Sequence, residues 1–212
     1  MTLDEAALRQ AVRHLSRADA RLARLIDAVG PCGLTVDPGG GPFAALVQAI
    51  LYQQLNGKAA GTIHARLLAR VGRAHPRPAD IATLDDEALR GVGLSRQKIS
   101  YLRDLTTRVQ AGLSLRGLGR LGDEAIIERL TAVRGVGRWT VEMYLIFRLG
   151  RLDVLPVDDY GVRKGAQRTY RLRTPPDAAR LRRLAEPWRP YRSVASWYLW
   201  RAAEAEGELA GQ

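Results

Sequence analysis

The chain is poor in several residue types at once: its 212 residues hold one cysteine, three histidines and three lysines, and only 6% of them are aromatic. A single cysteine, Cys32, excludes an internal disulfide, a zinc knuckle and any cysteine-ligated iron–sulfur cluster held by this chain alone. Cys32 reads instead as a small, partly buried residue. His14, His64 and His75 are scattered without metal-ligand spacing. No uncharged apolar run approaches the roughly 18 residues of a membrane-spanning helix, so no membrane partner is expected. The opening stretch MTLDEAALRQ carries acids and an arginine where a secretion signal would be basic and then apolar, which makes the cytoplasm the expected compartment, associated with the nucleoid in a bacterial cell. Strand-like alternation is also almost absent.

What is present is apolar and basic. A hydrophobic content of 46% over this length can close a sizeable core, as one domain or two small ones. The 33 lysines and arginines against 22 acids give a net charge of +11, which suits a polyanion whose counterions are released on binding. Arginine carries that excess, and codon bias alone can raise arginine content, so charge by itself leaves a nucleic-acid partner open.

Helical periodicity runs from end to end and predicts an all-α protein of about ten helices joined by short Gly/Pro loops. Leu8, Val12 and Leu15 share one face over residues 4–15, as do Leu22, Leu25, Ile26 and Val29 over 17–29. The stretch from Gly30 to Pro42, with five glycines and three prolines, reads as a crossover between helical units. Residues 43–55 are apolar on nearly all sides, as in a helix buried in the middle of a domain, and end in Gln53-Gln54 before Asn56-Gly57. Further helices are expected over 57–71, 84–90, 95–111 with Ser95 as its N-cap, 123–132 capped by Asp123, 139–149, 160–170, 177–185 and 191–206.

The most informative segment is Val133-Arg134-Gly135-Val136-Gly137-Arg138-Trp139-Thr140. Two helices joined by a G-x-G hairpin turn backbone N–H groups outward at the start of the second helix, where they can hold a phosphate without reading sequence. Gly135 can take the left-handed turn, and Gly137 lets a phosphate approach the backbone. The same pattern occurs at Leu89-Arg90-Gly91-Val92-Gly93, where it reads as a bare tight turn. The later copy is preferred because it joins a capped helix to an apolar one and is followed at short range by Pro156-Val157-Asp158-Asp159-Tyr160.

That hairpin, followed about 20 residues later by Leu155-Pro156-Val157-Asp158-Asp159-Tyr160-Gly161, resembles the helix-hairpin-helix (HhH-GPD) DNA glycosylases, specifically the 3-methyladenine DNA glycosylase II branch. Ala49-Ile50-Leu51-Tyr52-Gln53-Gln54-Leu55 upstream, and Trp188-Arg189-Pro190-Tyr191-Arg192-Ser193 with Trp200 downstream, extend the likeness over roughly residues 40–203. The resemblance implies that Asp159 is the catalytic carboxylate and that Trp139, Tyr160, Trp200, Met143 and Tyr52 line a base pocket. Met143 stands where a relative has a pocket tyrosine. The DNA-binding set it implies is Gly135, Val136, Gly137, Arg138 and Thr140 at the hairpin and Gln54, next to Gln53, as the wedge that fills the gap of a flipped nucleotide; Arg96 and Lys98 read equally as phosphate contacts or as a solvated face. The backbone carbonyls of Thr131, Val133 and Val136 match the ligands of a structural Na⁺ or K⁺, and no cofactor is expected for the chemistry. Lyase-competent cousins carry a lysine at the position of Trp139, so the resemblance implies no lyase activity.

The expected fold is the two-lobed glycosylase architecture without an N-terminal β domain. One lobe covers residues 37–151, with the hairpin at about 123–149; the other combines 1–36 with 152–212. The active site is expected in the cleft between them, with Asp159 at the rim beside Trp139. A carboxylate there suits N-glycosidic scission, which builds positive charge on the deoxyribose. Of the two adjacent acids, Asp158 is the expected cap of the helix starting near Tyr160, and Asp159 the residue with chemistry. The implied partner is damaged double-stranded DNA, bound by a monomer that leaves an abasic site for downstream repair enzymes. The rival is a non-catalytic hairpin protein that recognises lesions and recruits other factors.

Overall fold

The computed structural model describes residues 4–37, 39–55 and 57–204. Asn56, and residues 205–206 of the expected last helix, lie outside the described residues. Among the described residues the fold is all-α, with twelve α-helices, two single-turn 3₁₀ helices and no strand. The chain divides into two compact units, Met1–Asp37 with Leu145–Gln212, and Pro38–Tyr144. The second boundary falls at Tyr144 rather than at 151, inside a helix that runs without interruption from Arg138 to Phe147.

The discontinuous unit holds α1 (Glu5–Ala18), α2 (Ala20–Val29), α10 (Tyr160–Thr169), α11 (Ala178–Leu184) and α12 (Arg192–Glu204). Its core is Leu15, Leu22, Ile26, Val162, Ala166, Trp188, Tyr198 and Leu199, all buried. The break between α1 and α2 comes at Asp19, later than the apolar spacing placed it. Asp19 is extended, and its side chain accepts from the N–H groups of Arg21 and Leu22 at 2.9 and 3.0 Å. It also accepts from the Tyr170 hydroxyl and, at 3.2 Å, from Trp188 Nε1. Burial works against its charge, but these donors together hold the Asp19 carboxyl below the usual carboxylate range.

The closest packing in this unit is α10 on α12. A Cβ on Gly165 would stand 1.9 Å from the Leu199 carbonyl oxygen, so only glycine permits this approach of the two backbones. The segment leading to α10 is tied to the start of α12. The Asp153 carboxylate pairs with Arg192 at 2.7 Å and Arg189 at 3.1 Å, and the fully buried Ser193 hydroxyl donates to the Arg151 carbonyl and accepts from the Val154 N–H.

The continuous unit holds α3 (Gly41–Tyr52), α4 (Gly57–Val71), α5 (Pro78–Thr83), α6 (Asp86–Gly91), α7 (Arg96–Gln110), α8 (Asp123–Thr131) and most of α9 (Arg138–Phe147). The six-residue α5 is too short for apolar periodicity to announce. Arg103 ties it to α7, donating to the Ile81 and Leu84 carbonyls and pairing with Asp86 at 2.8 Å. α3 is buried along Phe43–Val47, Ile50 and Leu51, as its all-round apolar sequence requires. Ser95 caps α7 by accepting from the Lys98 N–H at 3.3 Å. The cap position of α8 is Gly122, one residue earlier than expected, which puts Asp123 inside the first turn.

Candidate functional site

α10 begins at Tyr160, and the residue just before a helix is the one whose extended backbone turns its side chain onto the unpaired N–H groups of the first turn. That residue is Asp159, at φ −69° and ψ 122°, and its Oδ1 accepts from the Val162 N–H at 2.7 Å. The expectation that Asp158 caps this helix is therefore corrected: Asp158 lies one residue too early and is exposed. The cap is the candidate catalytic acid itself.

Trp200 Nε1 on α12 donates to the same Asp159 Oδ1 at 2.8 Å. The indole is held in turn by stacking on Phe147, with ring centroids 5.6 Å apart and planes 26° from parallel. Asp159 is only 9% exposed, so two donors on one oxygen fix a buried carboxylate in a single orientation, at the helix end where the macrodipole favours negative charge. Tyr160, the next residue, is 74% exposed. Of the sequence-predicted set, the discontinuous unit thus brings Asp159, Tyr160 and Trp200 together. Trp188 is fully buried and belongs to the core.

In the continuous unit the hairpin forms where the sequence puts it, between α8 and α9. Gly135 sits at φ +81°, and a Cβ there would lie 2.2 Å from the Tyr101 ring. The Val133 carbonyl accepts from the Val136 N–H at 3.0 Å, and both valines are buried, which anchors the turn from beneath. A Cβ on Gly137 would meet nothing. α7 cradles the turn with two residues that sequence reasoning missed. Tyr101 closes on Gly135, and the Asp104 carboxylate accepts from the Arg134 N–H at 2.7 Å. Burial works against the Asp104 charge, yet the Arg134 N–H and the Arg108 guanidinium hold its carboxyl below the usual range. Both residues lie on one helix face with Gln97, whose amide donates to the Tyr101 hydroxyl. That i, i+4, i+7 spacing was the available signal.

Gln53 donates its side-chain amide to the Gly135 carbonyl at 2.8 Å, joining the end of α3 to the hairpin. Lys98 Nζ donates to the Leu51 carbonyl at 2.5 Å, and burial pushes its ammonium pKa down. Lys98 thus caps the end of α3. Directly after these two anchors Gln54 is exposed and left-handed, at φ 55°. Arg138 pairs with Glu124 at 3.0 Å and with the buried Glu142 at 3.1 Å. Thr140 is only 6% exposed, which removes its side chain from any DNA-facing role. Arg96 is exposed at the start of α7, Trp139 is 45% exposed at the start of α9, Met143 is half-buried, and Tyr52 packs edge-on against His64. Among the described residues no group of histidine, cysteine or acidic side chains could hold a metal ion, and no helix is long and apolar enough to cross a membrane.

Comparison with known proteins places this geometry. The family model for HhH-GPD superfamily base excision DNA repair proteins matches residues 47–190. The chain is 36% identical over 206 residues to DNA-3-methyladenine glycosylase 1 of Schizosaccharomyces pombe, covering 93% of this chain and 89% of the relative. Among solved structures it is similar to a DNA-3-methyladenine glycosidase from Bacillus halodurans, with a TM-score of 0.83 and 38% identity over 93% of this chain and 91% of that one. It is also similar to the Schizosaccharomyces pombe 3-methyladenine DNA glycosylase in complex with abasic DNA, with a TM-score of 0.78 and 36% identity over 91% of this chain and 95% of that one.

Proposed function

The chain belongs to the HhH-GPD superfamily of base excision DNA repair proteins, and from that premise we propose that it excises alkylated bases from duplex DNA as a monofunctional glycosylase of the 3-methyladenine glycosylase II type, with Asp159 as its catalytic carboxylate. The observation that carries this reading is the Asp159 carboxylate, buried at a helix N-terminus and aimed by two hydrogen bonds to Oδ1.

Scission of an N-glycosidic bond leaves the deoxyribose with oxocarbenium character, and a preorganised carboxylate stabilises that charge without reorganising at the moment of reaction. The Val162 N–H and Trp200 Nε1 supply the preorganisation. Alkylation at N3 or N7 makes a purine cationic and a good leaving group, so a strong general acid is not required. Within the discontinuous unit, the exposed aromatic face of Tyr160, next to Asp159, suits a flipped cationic base through stacking and cation–π attraction.

The hairpin supplies the DNA backbone contact. Gly137 has neither positive φ nor a neighbour that a Cβ would strike, so nothing inside the protein explains a glycine there; close approach of a phosphate does. Thr131 closes α8, and its carbonyl is among those a helix end leaves without an intrahelical partner. With the Val133 and Val136 carbonyls it offers a neutral, all-oxygen donor set that fits Na⁺ or K⁺, whose charge would reinforce attraction of the phosphate. Lyase chemistry needs an amine nucleophile. Position 139 holds Trp139 instead of lysine, and the Lys98 ammonium is committed to the Leu51 carbonyl. The abasic product then passes from a monomeric enzyme to downstream repair enzymes.

The test is release of free methylated bases from alkylated duplex DNA by wild type and Asp159→Asn. Asparagine caps helices as well as aspartate does, so the variant keeps the fold and loses only the charge. Base release should fall by about 10²- to 10³-fold with binding to abasic DNA retained. Turnover equal to wild type would overturn the assignment of Asp159, and absence of release from both proteins would leave a lesion-binding role. Borohydride trapping should give no covalent adduct with DNA.

A further inference from the structure

The turn that follows α3 keeps a side chain at a cost. Gln53 is extended, at φ −55° and ψ 133°, Gln54 follows at φ 55°, and the Leu55 N–H donates to the Tyr52 carbonyl at 3.4 Å. This is the backbone pattern of a type II turn, with Gln54 at the position that needs positive φ and selects glycine or asparagine. A glutamine there accepts backbone strain and presents its side chain to solvent.

Such strain persists where the surroundings over-determine the turn, and two contacts within the continuous unit do so. Lys98 Nζ holds the Leu51 carbonyl at 2.5 Å just before the turn, and the Gln53 amide donates to the Gly135 carbonyl at 2.8 Å from inside it. Gly135 is itself pinned from α7, by the Tyr101 ring that a Cβ would strike and by Asp104, which accepts from the Arg134 N–H at 2.7 Å. Gln97, one turn earlier on α7, donates to the Tyr101 hydroxyl at 2.6 Å. α7 therefore grips both the end of α3 and the hairpin, and Gln53 closes the triangle by joining the two directly. Because Gln53 immediately precedes Gln54, that one hydrogen bond sets where Gln54 stands relative to the hairpin.

We propose that Gln53 is a positioning residue that couples Gln54 to the hairpin, so that the two grip one duplex at a fixed separation. The proposal rests on the reading of the chain as a glycosylase in which Gln54 fills the gap of a flipped nucleotide. A backbone phosphate is available on any duplex, whereas a gap filler acts only where a base has left the stack. Two contacts held at a matched spacing engage the same duplex as an intramolecular pair, and a loose link forfeits that gain. The Gln53 hydrogen bond thus governs the preference for gapped over intact DNA, not affinity for DNA as such.

The test measures the affinity of the full chain for a duplex with one abasic site and for the same duplex intact, and reads the ratio of the two. Gln54→Gly relieves the strained turn while removing the side chain, so its melting temperature should hold or rise while the ratio falls about tenfold, the effect of one lost hydrogen-bonding contact. Gln53→Glu keeps the length of the side chain but turns an acceptor onto the Gly135 carbonyl, and should lower the ratio to a similar extent at neutral pH. Protonation restores a donor, so the ratio of this variant should recover toward that of wild type, compared at the same pH, as the pH falls to about 5. The double variant should match Gln54→Gly alone, because Gln53 acts through Gln54. Equal weakening of both duplexes by Gln53→Glu, or a double variant at the product of the two single effects, would overturn the coupling. A wild-type ratio in Gln54→Gly would overturn it by removing the gap filler, leaving base release and Asp159 untouched, and equal affinity of wild type for both duplexes would overturn it together with the lesion recognition on which it rests.

Discussion

The tripeptide Gly-Val-Gly occurs twice in the continuous unit, each time between two helices, and it folds in two different registers. At Gly91-Val92-Gly93 the first glycine is still the last residue of α6, and the third takes the left-handed turn at φ +106°. At Gly135-Val136-Gly137 the helix has already ended at Thr131, the first glycine takes the turn at φ +81°, and the third stands in open space. The earlier copy closes on itself, with Ser95 capping the helix that follows. The later copy is built from outside: Tyr101 presses on it, Asp104 holds the Arg134 N–H and Gln53 holds the Gly135 carbonyl. The tripeptide specifies a turn. Its register, and whether a glycine is left over for a ligand, are set by where the preceding helix ends and by what surrounds the turn.

Substituting the four glycines one at a time breaks the comparison open, beginning with the largest effect. Gly135→Ala combines a left-handed backbone with a Cβ inside contact distance of an aromatic ring and should lose about 2–5 kcal/mol of stability, seen as a lower urea midpoint at unchanged slope. A double variant that adds Tyr101→Ala should lose less than the sum of the two single changes. Strict additivity would show that the ring is not the cause. Gly93→Ala carries the backbone cost, but its Cβ would meet the Ile63 side chain at 3.2 Å, from which a flexible chain can withdraw. A loss of about 1–2 kcal/mol is expected.

The same contrast marks what was legible in the sequence. Helix count and type, the hairpin and the acidic residue after it follow from periodicity, glycine placement and short-range order, all of which are local. What was not legible comes where the third dimension decides. Lys98 read as a phosphate contact or part of a solvated face, and the reach of its ammonium to the Leu51 carbonyl, 47 residues away in sequence, was not visible there. Thr140 belonged to the hairpin by position, yet the first turn of α9 buries it. The cap of α10 shifted by one residue, from Asp158 to Asp159, because the chosen aspartate depends on the residue at which the helix starts, and periodicity fixes that only loosely. The hydrogen bond from Trp200 to Asp159 was not legible, because it spans 41 residues and requires α10 to lie against α12 at the Gly165 crossing.

The smallest structural effects are the most informative about function, since neither Gly137 nor Gly91 has positive φ or a neighbour that a methyl group would strike. Gly91→Ala places alanine at the end of a helix and should stabilise by up to about 0.5–1 kcal/mol. Gly137→Ala should leave the melting temperature almost unchanged, within about 0.5 kcal/mol. The two variants should part when DNA is added. If a phosphate approaches the backbone at Gly137, a methyl group there holds it off, and duplex affinity should fall about tenfold, the equivalent of one charge-assisted hydrogen bond; Gly91→Ala should bind as wild type does. Equal weakening in both variants would make the two turns equivalent phosphate sites despite their different registers. No weakening in Gly137→Ala would reduce the later copy to the same bare turn as the earlier one and move the backbone contact elsewhere on the protein.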